Sequence, residues 1–240
     1  MPDRKQAEID YPRAVGESGR NWIRLKPFAS TPDETARLLI DFAHVVQLLE
    51  LAPGTTFCEL GCGSGWISRL AARHGVVAEG YDISPQMIEI AREQAAEEGL
   101  DVRYETGDME QLDLGRRFDT CLLYDALHHS PRADLVLASA RRALRPGGRV
   151  LLLAEPNWTH RLGGRKAAGE FGVTELGYTP HRLKRILRDQ GFTDIRRFHP
   201  VRKRLPSNSP RDVAFHLSGP LAYRALGPFW TQIWLRARAS

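Results

Sequence analysis

The segment Phe57-Cys-Glu-Leu-Gly-Cys-Gly-Ser-Gly65 ends an apolar, strand-forming run and opens a helical one, with glycines at 61, 63 and 65. Glycines in such a turn let a ligand approach the main chain without a Cβ in the way, and they accept a positive φ. The spacing argues against two phosphate sites. In a dinucleotide fingerprint the third glycine stands five positions after the first, and here that position is Trp66, too large for close helix–strand packing beneath a pyrophosphate. A phosphate-cradling P-loop would end in Gly-Lys-Ser/Thr, which does not follow. Glu59, just ahead of the glycines, would repel phosphates and suits a cationic ligand that carries an ammonium group. Asp82, in Tyr81-Asp82-Ile83-Ser84, lies about twenty residues beyond the loop, where one carboxylate can accept two hydrogen bonds from a ribose diol. Thr106-Gly107-Asp108-Met109 adds a carboxylate for an exocyclic amine and an apolar side chain for a purine face. The combined chemistry is that of holding an adenosine-containing ligand with positive charge.

A second group of reactive side chains follows in Tyr124-Asp125-Ala126-Leu127-His128-His129. Histidine has a suitable pKa for taking a proton from an oxygen nucleophile, which makes His129, and after it His128, the candidate general bases. Asp125 reads equally well as a turn cap, and His160 and His181 as surface residues. Cys58, Cys62 and Cys121 are read as reduced core residues, because Cys-x3-Cys with one distant cysteine does not close a tetrahedral metal shell. No clustered carboxylates or histidines suggest a metal, so none is expected.

These residues need a frame that brings strand ends together. TTFCEL, VVAEGY, VRYE, FDTCLLY and GRVLLLAE are short aliphatic or β-branched runs, separated by helical segments at 66–74, 85–98 and 132–145. That alternation predicts right-handed crossovers and an α/β, Rossmann-like, doubly wound and mostly parallel sheet. Thr31-Pro-Asp-Glu34 reads as a capping box ahead of a helix with Ala36, Leu39, Ile40, Ala43 and Val46 on its apolar face. Ser84-Pro85, Ser130-Pro131 and Thr179-Pro180 each place a hydroxyl cap before a first-turn proline, Gly99 and Gly191 fall at helix ends, and Pro146-Gly147-Gly148 stops the helix before strand five. DIRRFH after the helix at 180–190 predicts a sixth strand, and Asp212–Leu217 is a modest candidate for a final antiparallel one. Phe229, Trp230, Ile233 and Trp234 recur at helical spacing beside Arg224, Arg236 and Arg238. Packing on the chain's own core is the preferred reading of that stripe, with peripheral membrane contact or a second subunit as alternatives. The expected organisation is an N-terminal arm and helix over 1–55, a core over 56–200 with an insertion at 156–179, and an extension over 201–240.

At 240 residues and 42% hydrophobic content the chain suits one α/β domain with decorations. Its formal net charge of +5 is read mainly as a solvated surface. The first twenty residues lack a signal peptide's apolar core and no later stretch has the length of a membrane span, so a cytoplasmic protein is expected.

Glu59-Leu-Gly-Cys-Gly-Ser-Gly65, Asp82-Ile-Ser-Pro-Gln-Met87, Gly107-Asp108 and Leu144-Arg-Pro-Gly-Gly148 resemble the ordered motifs of class I S-adenosylmethionine-dependent methyltransferases, in particular the small-molecule branch. The resemblance implies S-adenosylmethionine as cofactor and methyl transfer to an oxygen, nitrogen or carbon of a small metabolite, for instance a sugar or a secondary-metabolite intermediate. It also implies that Glu59 and the main chain of Gly61, Cys62, Gly63 and Gly65 face the methionine part. Asp82 would then hold the ribose, with Ile83 and Met87 alongside. Gly107, Asp108 and Met109 would lie at the adenine, and Tyr124 would begin the loop past the methyl group. The acceptor surface would come from 1–30 and 156–179, with Trp22, Phe28, Trp158, Phe171 and Tyr178 as walls and glycines 163, 164, 169, 172 and 177 letting a lid order on binding. A nucleic-acid methyltransferase is the alternative enzyme, supported by the basic tail alone; the Asn/Asp-Pro-Pro-Tyr/Phe segment of base-amino methylases is missing after strand four. A non-catalytic binding or scaffold domain is the third class. Oligomeric state is not legible.

Overall fold

The computed structural model describes residues 4–28, 31–115, 118–157, 171–198 and 232–240. Among them, the strands are β1 (Thr56–Leu60), β2 (Val77–Asp82), β3 (Arg103–Thr106), β4 (Phe118–Tyr124), β5 (Leu144–Glu155), β6 (Phe192–Phe198) and β7 (Ile233–Ala239). The helices are α1 (Arg4–Ala14), α2 (Gly16–Leu25), α3 (Pro32–Leu49), α4 (Trp66–Arg73), α5 (Pro85–Glu97), α6 (Ala133–Ala143) and α7 (Pro180–Asp189), with a single 3₁₀ turn at Leu127–His129. The sheet order is β3-β2-β1-β4-β5-β7-β6, and only β7 runs antiparallel to its neighbours. This is the Rossmann-like α/β architecture that the alternating pattern predicts.

Both faces of the central strands are covered, so side chains alternate between two apolar layers. Cys58, Leu60, Cys121, Leu123, Val150 and Leu152 pack with α6 and α7, through Leu137, Ala140, Leu183 and Leu187. Phe57, Leu122, Leu151 and Leu153 pack on the other face with Leu38, Val45 and Leu49 of α3 and Trp66 and Ile67 of α4. A third, smaller group sets Ile88, Ala91 and Ala95 of α5 against Cys62 and Tyr104. The three cysteines are free thiols within these layers. Burial pushes the Cys58 and Cys62 thiols well above their ordinary value.

The local punctuation holds in part. Thr31 Oγ1 accepts from Glu34 N at 3.2 Å and Thr179 Oγ1 from Arg182 N at 3.2 Å, as capping hydroxyls should. Ser84 and Ser130 do not cap. Ser84 Oγ donates to Ile9 O at 2.8 Å, and Ser130 Oγ donates to Glu110 at 2.7 Å while accepting from Arg132 N at 3.0 Å, so α6 starts later, at Ala133. Pro146-Gly147-Gly148 lies within the bounds of β5, where the pairing with β4 shifts register between Phe118 and Thr120. Residues 4–25, without a clear period in sequence, form α1 and α2.

The candidate final strand at 212–217, together with Trp158, His160, Phe229, Trp230 and most of the expected 156–179 insertion, lies outside the described residues. Among the described residues the strand antiparallel to its neighbours is β7, which inserts between β5 and β6. Ile233 and Trp234, read from their spacing as part of a helical stripe, are consecutive strand residues facing opposite layers, both with no exposure. Ile233, Trp234 and Leu235 are all apolar and buried, so over that stretch a helical spacing and a two-sided buried strand cannot be told apart, and the alternation with arginine begins only after Leu235. Among the described residues no helix is long and apolar enough to cross a membrane.

Trp234 joins the inserted strand to α3, its ring edge-to-face on His44 at 5.1 Å. Trp234→Ala is expected to cost about 3–5 kcal/mol of stability, as full truncations of buried aromatics do. The check is a drop in the denaturant midpoint without a change in slope.

Candidate functional site

The chain leaves β1 for β2 and β3 on one side and returns to β4 on the other, so β1 and β4 are adjacent and their following loops diverge. Such a switch point opens a crevice at the carboxyl ends of the strands. A cavity of about 820 Å³ occupies it. Its floor is Glu59, Gly61–Ser64 and Trp66 after β1, Asp82, Ile83 and Met87 after β2, and Gly107–Glu110 after β3. Tyr124–Ala126 and His128–Pro131 follow from β4, Pro156 and Asn157 from β5, and its cover is α1 and α2 with Val173–Glu175.

The glycine loop is set by conformation and by close approach. Gly61, Gly63 and Gly65 have φ of 71°, 53° and 69°, all in the left-handed region. A Cβ on Gly65 would meet the Tyr104 hydroxyl at 2.4 Å and one on Gly61 would meet Ala126 Cβ at 2.7 Å, so these two serve packing. At Gly63 no heavy atom lies within 4 Å of that position. This is the bare stretch of main chain that faces the cavity. Gly63 N donates to Asp82 Oδ2 at 2.8 Å and Ser84 N to Asp82 Oδ1 at 2.9 Å, which pins the carboxylate to the loop. Burial raises the Asp82 carboxyl, and those two backbone donors pull against it.

Glu59 is buried and accepts from Ser68 N at 3.1 Å and from the Ser68 hydroxyl. Burial carries its carboxyl up to about 8 despite those bonds. Beyond the loop, Arg69, only 4% exposed, donates to Ser64 O at 2.7 Å and Lys26 O at 3.3 Å and pairs with Glu98 at 3.1 Å. Ser64 Oγ donates to Ile23 O at 2.8 Å. The second helix of the arm is therefore seated on the glycine loop.

Asp108, expected at an adenine amine, accepts from Lys5 Nζ at 2.6 Å, and the same ammonium reaches Glu110 at 2.6 Å. Gly107 N donates to Asp82 O at 2.8 Å, while Met109 lines the cavity. The Tyr124 hydroxyl donates to Asp41 at 2.9 Å and its ring stands edge-to-face on Trp66 at 5.4 Å. Burial, with the Asp41 charge, raises that phenol. Trp22 lines the cavity with Lys26 Nζ 3.8 Å above its ring, and burial lowers Lys26 to about 8. Phe28 is 65% exposed, and Tyr178 is buried with its hydroxyl donating to Leu127 O at 3.2 Å; neither lines the cavity. Phe171 stacks edge-to-face on Tyr11 of α1 at 5.7 Å, and His181 is exposed.

The turn after β4 carries both histidines. Asp125 takes φ of 50°, and the next three residues hang on one carboxylate: Glu155, fully buried, accepts from Ala126 N at 3.1 Å, Leu127 N at 2.9 Å, His128 N at 3.1 Å and His128 Nδ1 at 3.1 Å. Glu155 was not singled out in the sequence; the available signal was an acidic residue closing the apolar run of β5. His129 Nδ1 lies 3.1 Å from Thr174 O and 3.4 Å from Glu8. Burial alone would lower this imidazole, but the hydrogen bond and charge of Glu8, with Glu175 and Asp125 behind it, carry it up to about 9. Glu8 also accepts from Thr174 N at 2.7 Å. His128, His129 and Glu175 offer ligand-type atoms within 4.8 Å of one another, so histidines and a carboxylate do cluster in space, contrary to the linear reading.

Residues 57–148 match the family model described as a methyltransferase domain. The ubiquinone biosynthesis O-methyltransferase of Brucella ovis is 30% identical over 139 residues, which are 57% of this chain and 56% of that protein. The chain thus spans about half the length of the curated relatives it matches. Among solved structures, magnesium protoporphyrin IX methyltransferase from Synechocystis PCC 6803, with bound SAH, has a TM-score of 0.68 at 20% identity, covering 99% of this chain and 100% of that one. Haemonchus contortus phosphoethanolamine N-methyltransferase 2, with phosphomonomethylethanolamine and S-adenosylhomocysteine, has a TM-score of 0.69 at 20% identity, covering 100% and 60%. These likenesses establish a shared fold.

Because Glu8 raises His129, their pairing contributes stability that is fully present below the imidazole's unfolded value and is lost as pH rises through about 9. Glu8→Gln keeps an acceptor for Thr174 N but removes the charge. It is expected to lower the Tm near about pH 6 and to leave it almost unchanged near about pH 10, as read by calorimetry across that range.

Proposed function

Starting from the match of residues 57–148 to a methyltransferase-domain model, we propose that this protein is a class I methyltransferase that binds S-adenosylmethionine at the carboxyl ends of β1–β4 and transfers its methyl group to a small metabolite. The observation that carries the reading is the pairing of bare main chain at Gly63 with the Asp82 carboxylate beside it, both facing one cavity. Its volume of about 820 Å³ falls within the ~300–1,000 Å³ of small-molecule sites.

The residues fit the cofactor. Asp82 uses two of its roughly four lone-pair directions on Gly63 N and Ser84 N, which leaves acceptor capacity for a ribose diol. Glu59 lies under the loop where an ammonium group would arrive, and a cation there favours its charged form. Ile83, Met87 and Met109 give apolar surface for the base. When bound, S-adenosylmethionine supplies a methyl group already activated on a sulfonium. The protein's remaining task is to orient an acceptor in line with it and keep water out, which by itself lowers the barrier substantially.

The acceptor side is assigned to α1, α2 and 171–175 around the 128–129 turn. His129 is the residue placed to take a proton from an acceptor hydroxyl. His128, bonded to Glu155 through its backbone N and Nδ1, serves to position the turn. The acceptor, a cytoplasmic setting and methylation of oxygen rather than nitrogen or carbon are part of this proposal, the last drawn from the O-methyltransferase relatives.

Calorimetric titration with S-adenosylmethionine is expected to show one site per chain; no heat and no protection from unfolding would overturn the reading. Asp82→Ala is expected to weaken binding about 10–100-fold, the equivalent of ~1.5–3 kcal/mol for hydrogen bonds to a charged group. Since burial holds Glu59 up to about 8, cofactor binding near about pH 7 should release a proton, detected as a dependence of the heat on buffer ionisation enthalpy and absent in Glu59→Gln. If His129 accepts the proton, turnover rises with pH toward about 9, and His129→Gln flattens that profile.

A further inference from the structure

From the geometry around the 128–129 turn we infer a divalent transition-metal site formed by His128, His129 and Glu175 inside the cavity. It goes beyond the methyl-transfer reading and does not depend on it.

The tautomers come first. Glu155 Oε2 and Thr174 O are both acceptors at 3.1 Å from a histidine Nδ1, so in each neutral ring Nδ1 carries the hydrogen and the Nε2 lone pair is presented. A carboxylate or carbonyl behind the ligating imidazole is the arrangement that fixes ring orientation and raises ligand basicity in metal sites. Glu155 does this for His128 and the main chain of Thr174 for His129. His128 Nε2 then points at Glu175 Oε2, 3.8 Å away, and the two rings lie together with centroids 4.0 Å apart.

The three side chains are held by independent constraints. Both histidines sit on the 3₁₀ turn anchored by Glu155, and Leu176 N donates to His128 O at 3.2 Å, which fastens the Glu175 segment to the same turn. Thr174 N on Glu8 at 2.7 Å fixes that segment from α1. Ligand atoms within 4.8 Å of one another need to close by up to about 1.4 Å to reach the ~3.4 Å separation that ~2.0–2.2 Å bonds impose in a tetrahedral Zn²⁺ site, a movement to which the Glu175 side chain can contribute. Two imidazoles and one carboxylate form a set that suits zinc or ferrous iron and leaves coordination positions open. Glu8, Asp125 and Glu155 around the cluster add negative charge that favours a cation. Opening onto the cavity, the remaining coordination positions would take oxygen atoms of a bound acceptor.

The test uses the full chain without an affinity tag, stripped with a chelator and titrated with Co²⁺ at about pH 8.5 in the absence of any cofactor, with Zn²⁺ competing. Binding of one equivalent is expected, with the d–d absorption of low-coordinate nitrogen and oxygen ligation. Glu175→Ala and His129→Ala should each weaken it at least tenfold, while circular dichroism shows a native fold. A cobalt spectrum no different from the aqueous ion overturns the site whatever the variants do, and so does binding that both variants leave unchanged. Zn²⁺ should also raise the Tm of the unaltered chain, and its failure to do so counts against the site even if a variant does not fold. Since no S-adenosylmethionine is present, loss of this site and loss of the methyl-transfer reading are separate results.

Discussion

One buried carboxylate holds the business end of this fold together. Glu155, at the tip of β5, accepts three consecutive backbone N–H groups and an imidazole N–H from the turn that follows β4. A charge with no exposure is tolerable only when its lone pairs are met by donors of this quality, and removing either side would strand the other. The turn has nowhere else to go. Asp125 at φ of 50° swings the chain off the strand, Ala126 closes against Gly61, and the two histidines emerge on the cavity side. The orientation of His128 follows from that anchorage, and the same turn receives the 174–176 segment through Leu176 N on His128 O.

A second balance runs around the cavity, where Glu59, Asp82, Asp108, Glu110, Asp125 and Glu175 face a few cations drawn largely from the arm. Lys5 answers Asp108 and Glu110 from α1, and Arg69 braces the loop against the residues around Lys26. The arm therefore contributes charge as well as cover. A ligand that brings its own positive charge enters a field already arranged for one, and a ligand amine at Asp108 must compete with Lys5.

The fold and the geometry of the glycine loop were largely legible in one dimension because their determinants are local. The β1 loop has three glycines at alternate positions, all with positive φ, and the alternation of short apolar runs with helical segments specifies a parallel sheet whatever the loops between them do. Asp82 was placed by its distance from that loop alone. Capping was less secure: Thr31 and Thr179 follow the local rule, while Ser84 and Ser130 give their hydroxyls to Ile9 and Glu110, partners that no neighbouring residue announces. The final strand also escaped, because its first three residues, Ile233 to Leu235, are apolar and buried on both sides, and the alternation with arginine is confined to its second half.

Local residue order is enough to say which runs become strands, where the main chain must be bare, and which strand tip carries the acid beside it. The partners of the buried groups emerge only once the chain is folded. Glu155 is 27 residues from His128, Glu175 is 45 or more from either histidine in chain terms, and Glu8 is farther still, yet all converge on one turn. The reason is physical: conformational preference acts over a few residues and leaves a periodic trace, whereas the state of a buried acid or imidazole is set by whatever distant groups the sheet's topology places around it.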